Sequence, residues 1–401
     1  MEKTTDRKVY LDYMAGAPVL PEVMEVMLPY LKEIYGNPQS IHAWGDQSRE
    51  ALETARDQVT ALINGNSEEI IFTASGTESN NLAVKGLAQG QLNRGKHIVI
   101  SAIEHFSVLN TVRRLEKSGY EFSLVPVDKH GMIDPDEVIN SIRKDTILVS
   151  IMHANGEVGT IQPIAEIAPK VKETGAVFHT DAVASTGNIP VDVQELQVDA
   201  LSLAGNQFYG PKGSGALWVR KGVRLIPQTD GGIQENGRRP GTEDVCALVG
   251  LGKAAEIAKR ELTSRAARLS QLRDYLIKGM MEKIDHVVLT GHPSRRLPHH
   301  ASFSVEFIEG EAMLMFMNLD GIAVSSGSAC TSKALKASHV LLAMGLPHEI
   351  AQGSLLLTLG LETQKEDIDY VLEKFPPIVD RLRQMSPLYA KFIKEGKNGN
   401  Q

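Results

Sequence analysis

Cysteine is nearly absent from this chain: Cys246 and Cys330 are the only two in 401 residues. Two thiols cannot make a disulfide framework, and such scarcity fits a reducing compartment. An excess of positive charge is also missing. Lys and Arg number 42 against 49 Asp and Glu, a formal charge of −7, which excludes electrostatic capture of nucleic acid or of an anionic membrane. No apolar run reaches the length of a membrane span, and the opening residues Met1 to Lys8 carry no apolar signal core. Internal repeats and low-complexity tracts are absent too. These gaps predict a cytoplasmic protein that works without nucleic acid or membrane. What remains is ordinary: 42% hydrophobic and 23% charged residues describe a globular chain. Its length corresponds to about 2.7 average domains, so two compact units with a sizeable core are expected.

Apolar runs alternate with helical patterns from the start. Ser48 to Ile63 places Ala51, Leu52, Ala55, Val59 and Leu62 on one face and predicts a helix. Glu69 to Phe72 is a short strand, followed by the turn Thr73-Ala-Ser-Gly-Thr-Glu78 and a helix beginning near Asn80. His97–Ser101, Ile147–Ile151, Ala176–His179 and Ala200–Leu203 are further β-rich runs, and Pro163 to Glu173 is helical. Strands alternating with helices predict a mostly parallel α/β sheet covered on both faces. From Val245 to about Ile284 the pattern is helical with a break near Ser264. Strands at Ala301–Phe307 and Ser354–Leu359 then alternate with helices at Glu311–Asn318 and Glu366–Gln384. The Lys-, Gly- and Asn-rich tail from Lys391 is expected to fray.

Four segments carry candidate chemistry. The small residues of Thr73–Glu78, between a strand and a helix, can bring backbone N–H groups against an anion, although a plain capped turn fits as well. Asp181 follows a strand at the edge where α/β folds bind ligands, or it caps a turn. Glu104 and His105 hold the same topological position after another strand, where a histidine is commonly structural. Cys330 lies in Val324-Ser-Ser-Gly-Ser-Ala-Cys-Thr-Ser332, a run with almost nothing that packs. An exposed, mobile, reactive thiol is expected there. Cys246, beside Ala247, Leu248 and Val249, reads as core.

Together these segments resemble the cysteine desulfurases of iron–sulfur cluster assembly and nitrogenase maturation. The resemblance runs from Tyr10-Leu-Asp-Tyr13 to Ser386-Pro-Leu-Tyr389. It is most specific at Gly36-Asn-Pro-Gln-Ser-Ile-His42, Glu104-His105, Tyr209-Gly-Pro-Lys-Gly213, Arg239-Pro-Gly-Thr242 and Ser325-Ser-Gly-Ser-Ala-Cys330. It implies a fold-type I pyridoxal phosphate (PLP) transferase homodimer. A large α/β domain would span 16–260, and a smaller one 1–15 and 261–401, the latter carrying the Cys330 loop. It also implies sulfur taken from cysteine as a persulfide on Cys330, leaving alanine. By the same resemblance Gly76 and Thr77 bind the cofactor phosphate, Thr242 reaches the phosphate of the neighbouring subunit, His105 stacks on the pyridine ring, and Asp181 pairs with its nitrogen.

The resemblance breaks at its centre. Where the family has Ser-Gly-His-Lys, this chain has Ala204-Gly-Asn-Gln207. Gln207 replaces the lysine that binds PLP covalently, and an amide nitrogen is not nucleophilic enough to do so. Ala204 and Asn206 replace phosphate ligands, Ala184 a glutamine on the cofactor hydroxyl, and Gly156 an orienting asparagine. Leu356 replaces the arginine that grips the substrate carboxylate, and Met14-Ala-Gly-Ala17 departs as well. Lys212 belongs to the retained Gly-Pro-Lys-Gly turn and is not expected to substitute. The sequence therefore predicts a cysteine desulfurase homologue in iron–sulfur assembly whose PLP is noncovalent or absent. Cys330 would accept sulfur from sulfide or a persulfide donor, or act as metal ligand to a cluster shared with a scaffold protein. Desulfurase activity with noncovalent PLP, and a non-catalytic assembly subunit, are the alternatives.

Overall fold

A computed structural model describes residues 7–327 and 337–398; Cys330 lies outside them. The large sheet has seven strands, ordered Ile70–Thr73, Gly215–Val219, Ala200–Ala204, Val177–Asp181, Thr146–Ser150, His97–Ser101, Glu121–Val125. Gly215–Val219 is antiparallel to both neighbours, and every other pairing is parallel. The central strands are buried along their whole length, as a parallel sheet covered on both faces requires. Their sequences therefore read as continuous apolar runs rather than alternations.

Ala43–Ile63 and the first half of Val245–Lys283 pack on one face, where Leu52, Val59, Leu251 and Ala255 join the main core. Gly76–Gly90 and Phe106–Glu116 cover the other. A second core gathers Leu269, Leu276, Phe303, Leu355, Leu357 and Phe375. It surrounds the antiparallel sheet ordered Ser354–Thr358, His300–Val305, Val287–Leu289.

Four expectations need correction. Val245–Lys283 is one unbroken helix of 39 residues. Ser264 turns its hydroxyl to the Glu261 carbonyl, 2.9 Å away, so it satisfies itself without ending the helix. Arg265 braces the same turn through Glu261 at 2.7 Å. The tail expected to fray from Lys391 to Gln401 is helical as far as it is described, in Pro387–Asn398, which stacks Tyr389 and Phe392 on Phe307; its last residues lie outside the described ones. The helix expected near Asn80 begins at Gly76, where Ser75 caps it by accepting from the Glu78 N–H at 3.1 Å. Cys246 is half-buried and not in the core; its thiol faces the Met27 carbonyl at 3.6 Å. No helix among the described residues is long and apolar enough to cross a membrane.

Candidate functional site

The C-terminal ends of the parallel strands open on one side of the large sheet, and a cavity of about 440 Å³ lies there. Four strands contribute residues at or just beyond their ends: Glu104 and His105; Met152 and 154–157; Asp181, Val183 and Ala184; and Ala204, Asn206 and Gln207. Gly76 and Thr77 also line it, as do Ser325, Gly327, His339 and Leu356. Gly76 is small by necessity, because a Cβ there would collide with Val183.

One wall is a tight hydrogen-bond relay. Asp181 is buried, and its carboxylate accepts from Asn80 Nδ2 at 2.6 Å and from the Val183 N–H at 3.0 Å. Burial pushes its pKa upward, with His105 opposing. Asn80 also donates to Ser107 Oγ at 2.8 Å. Ser107 is left to donate to His105 Nδ1 at 2.7 Å, and its backbone N–H reaches the same nitrogen at 3.1 Å. An Nδ1 that accepts twice places the proton of neutral His105 on Nε2. The arrangement therefore fixes a carboxylate and a ring N–H on the same wall.

A second group of lining residues is apolar and differently anchored. Gln207 donates Nε2 to the Met14 carbonyl at 2.9 Å. Its amide is thus spent on the backbone. Met14 fills the room that Gly156 leaves: a Cβ at Gly156 would lie 3.4 Å from Met14 Sδ and 3.9 Å from the Ala184 Cβ. Met14 packs against the cluster of Ala154, Ala184 and Leu297. Leu356 exchanges backbone hydrogen bonds with Ser325 at 2.8 and 3.2 Å, which ties the strand Ser354–Thr358 to the segment leading towards Cys330.

Two acids complete the site, Glu104 buried and Glu157 half-buried with its Oε1 shielded from solvent. Glu104 Oε1 accepts from Ser101 Oγ at 2.7 Å and from the Met152 N–H at 2.8 Å, joining two strand ends. Burial lifts its pKa to about 8. Glu157 is lifted to about 7 by burial, against a hydrogen bond from Ser338. A Cβ on Gly327 would collide with Glu157 Oε1, so this carboxyl touches both flanks of the segment that carries Cys330.

The cavity thus brings together Gly76, Thr77, His105 and Asp181 with Gln207 and the other replaced positions; Ala204 lies beside Gly76, where a Cβ would be 3.5 Å from the Ala204 Cβ. Thr242 is exposed and does not line it; Arg239, nearby in its loop, pairs with Glu78 at 2.8 Å. Lys212 is exposed and is not a lining residue. Asn80, Glu157 and His339 escaped sequence reading. A signal for Asn80 was present: it lies one helical turn beyond Gly76 and Thr77, on the same face. Glu157 and His339 reach the site only through the fold.

The model of the family "Aminotransferase class-V" matches residues 9–371. A cysteine desulfurase IscS of Dictyoglomus turgidum is 50% identical over 381 residues, covering 95% of this chain and 97% of its own. A cysteine desulfurase IscS 1 of Archaeoglobus fulgidus is 50% identical over 382 residues, covering 95% and 100%. A solved structure described as a NifS-like protein superposes with a TM-score of 0.88 at 36% identity, over 94% of this chain and 100% of that one. The fold is that of the fold-type I PLP-dependent transferases. The lysine-bound form of that cofactor does not fit these residues. No Lys or Arg lines the cavity among the described residues, and the amide at position 207 is engaged with Met14.

Proposed function

This chain belongs to the class-V aminotransferase family, and on that premise we propose that it serves sulfur transfer in iron–sulfur cluster assembly through the Cys330 thiol, without lysine-bound cofactor chemistry. The observation that carries the reading is the hydrogen bond from Gln207 to Met14, in a cavity without an amine among its described lining residues. Relatives at 50% identity named cysteine desulfurase support the sulfur chemistry. We expect a cytoplasmic homodimer that meets an iron–sulfur scaffold protein or another sulfur acceptor.

In this reading the Cys330 thiolate attacks the outer sulfur of a donor persulfide. A new S–S bond forms as the donor's S–S bond breaks, and the donor leaves as its thiolate, so no oxidant is consumed. The same thiolate can instead supply one ligand to a cluster whose remaining ligands come from the partner. Cys330→Ser should abolish persulfide loading, read by intact mass, or cluster retention, read by visible absorption, while the thermal midpoint stays unchanged. Equal sulfur transfer by the Ser variant would overturn the proposal.

A second reading is favoured by the intact relay on the Asp181 wall. There Thr77, His105 and Asp181 would hold PLP noncovalently, the cofactor would supply an electron sink, and the sulfur of cysteine would pass to the Cys330 thiolate as a persulfide with alanine as the other product. Its signature is alanine formation with added PLP faster than free PLP alone supports. Loss of the lysine removes help worth orders of magnitude in rate, so this activity would be slow.

A further inference from the structure

Behind the cavity, where residues 158–160 meet residues 290–300, the protein buries more positive than negative charge. Arg296 is 3% exposed, and its guanidinium donates only to backbone: Nη2 to the Val158 carbonyl at 3.3 Å and to the Thr290 carbonyl. Its Nε and Nη1 are closed to solvent and have no partner. Arg273 is buried too, donating to the Leu297 carbonyl at 3.0 Å and pairing with Asp274 at 2.8 Å. Asp274 is mostly exposed, and it is the carboxylate whose charge reaches Arg296. Two guanidiniums against that carboxylate leave one unit of positive charge out of water, which is costly. His299 and His300 are buried beside them, each with an unpartnered Nδ1. Burial and the Arg273 charge push Arg296 down to about 10 and His299 down to about 4, the response of cationic groups that lack an opposite charge.

We propose that this junction binds one small monovalent anion of halide size against the Arg296 guanidinium, with His299 as a second donor. Buried polar atoms without partners call for an ion or a water, and here the leftover charge selects the ion. One unit of charge is neutralised by one monovalent anion. Donors closed to solvent suit a monatomic ion better than a phosphate or a carboxylate. Two glycines in the left-handed region keep the place uncrowded: a Cβ on Gly159 would lie 2.7 Å from His300 Nδ1, and one on Gly291 would lie 2.9 Å from Arg296 Nη2. His299 can carry its proton on Nδ1 and donate it. His300 has a different part. Its Nε2 faces the Gly156 carbonyl at 3.0 Å and donates to it, so Nδ1 of the neutral ring is a lone pair. A nearby anion favours a second proton there, and through the Gly156 bond it braces a residue that lines the cavity. The site uses neither Cys330 nor Gln207, so it stands or falls apart from the function proposed above.

The test compares thermal unfolding of the full-length protein in sodium chloride and in sodium gluconate at equal ionic strength, gluconate being too large for such a site. A ligand of the folded state raises the midpoint by mass action, so chloride should raise it saturably, by about 2 °C or more over gluconate. Arg296→Met keeps much of the side-chain bulk and removes the charge, and should abolish that difference. Should this variant fail to fold, crystals of the unaltered protein soaked in bromide decide instead, with an anomalous peak expected beside the Arg296 guanidinium. Equal midpoints in the two salts would overturn the proposal. So would a chloride effect that survives in Arg296→Met, or a position at Arg296 filled by water alone with bromide confined to the surface.

Discussion

The two walls of the cavity are held by the same kind of donor and differ in what it holds. On one wall the side-chain amide of Asn80 bridges a buried carboxylate, Asp181, and the Ser107–His105 pair. On the other, the side-chain amide of Gln207 holds a backbone carbonyl, that of Met14, at a half-buried position. The first wall keeps polar groups poised towards the cavity. The second closes on itself, with Met14 occupying the space beside Gly156 and Ala184. The cavity thus pairs a polar wall held by side-chain relays with an apolar one held through the backbone.

This difference makes predictions of decreasing size. Asn80→Ala removes the partner of a buried carboxylate and should destabilise the protein by about 2–3 kcal/mol, the cost of a lost hydrogen bond to a charged group. Gln207→Ala removes a neutral hydrogen bond that water can replace at a half-buried position, and should cost about 1 kcal/mol or less. Urea unfolding of both variants checks the order, and a Gln207 loss equal to that of Asn80 would erase the distinction between the walls.

A smaller and pH-dependent effect belongs to Glu104. Its folded-state pKa, about 8, lies above its ordinary value, so the folded protein binds this proton more tightly than the unfolded chain does. Its contribution is therefore fully present below the ordinary carboxylate range and is lost as pH rises towards 8. Glu104→Gln, which mimics the protonated acid, should flatten the fall in stability between pH 5 and 8 and gain roughly 1 to a few kcal/mol over the native protein at pH 8. Parallel stability curves for the two proteins across that range would contradict the assignment. Buried His153 and His179, pushed down to about 4 and about 3 by burial, act at the acid end and with the opposite sign, so the difference between the curves isolates Glu104.

Much of this was legible in the sequence. Parallel strands buried on both faces read as unbroken apolar runs, which is why His97–Ser101 and Ala200–Ala204 stand out. Asp181, His105, Gly76 and Thr77 could be named because they follow strands or open helices at the ligand-binding edge. The antiparallel strand Gly215–Val219 was not distinguished, since direction leaves no mark on a fully buried strand. The continuity of Val245–Lys283 depends on Ser264 and Arg265 satisfying Glu261 locally, a choice that periodicity does not encode. At the site, the sequence showed each replaced residue singly. That Met14 fills what Gly156 lacks, and that Glu157 lies against Gly327, are facts of distance between segments far apart in the chain.

The most direct test of the central claim is intact-mass analysis of the anaerobically purified protein after incubation with PLP, borohydride reduction and dialysis, beside a Gln207→Lys variant. The native chain should keep its unmodified mass and show no retained cofactor absorption, while the Lys variant gains one cofactor mass per chain at residue 207. A stoichiometric adduct on the native chain, mapped to a peptide bordering the cavity, would mean that another amine has taken over and that lysine-type chemistry survives.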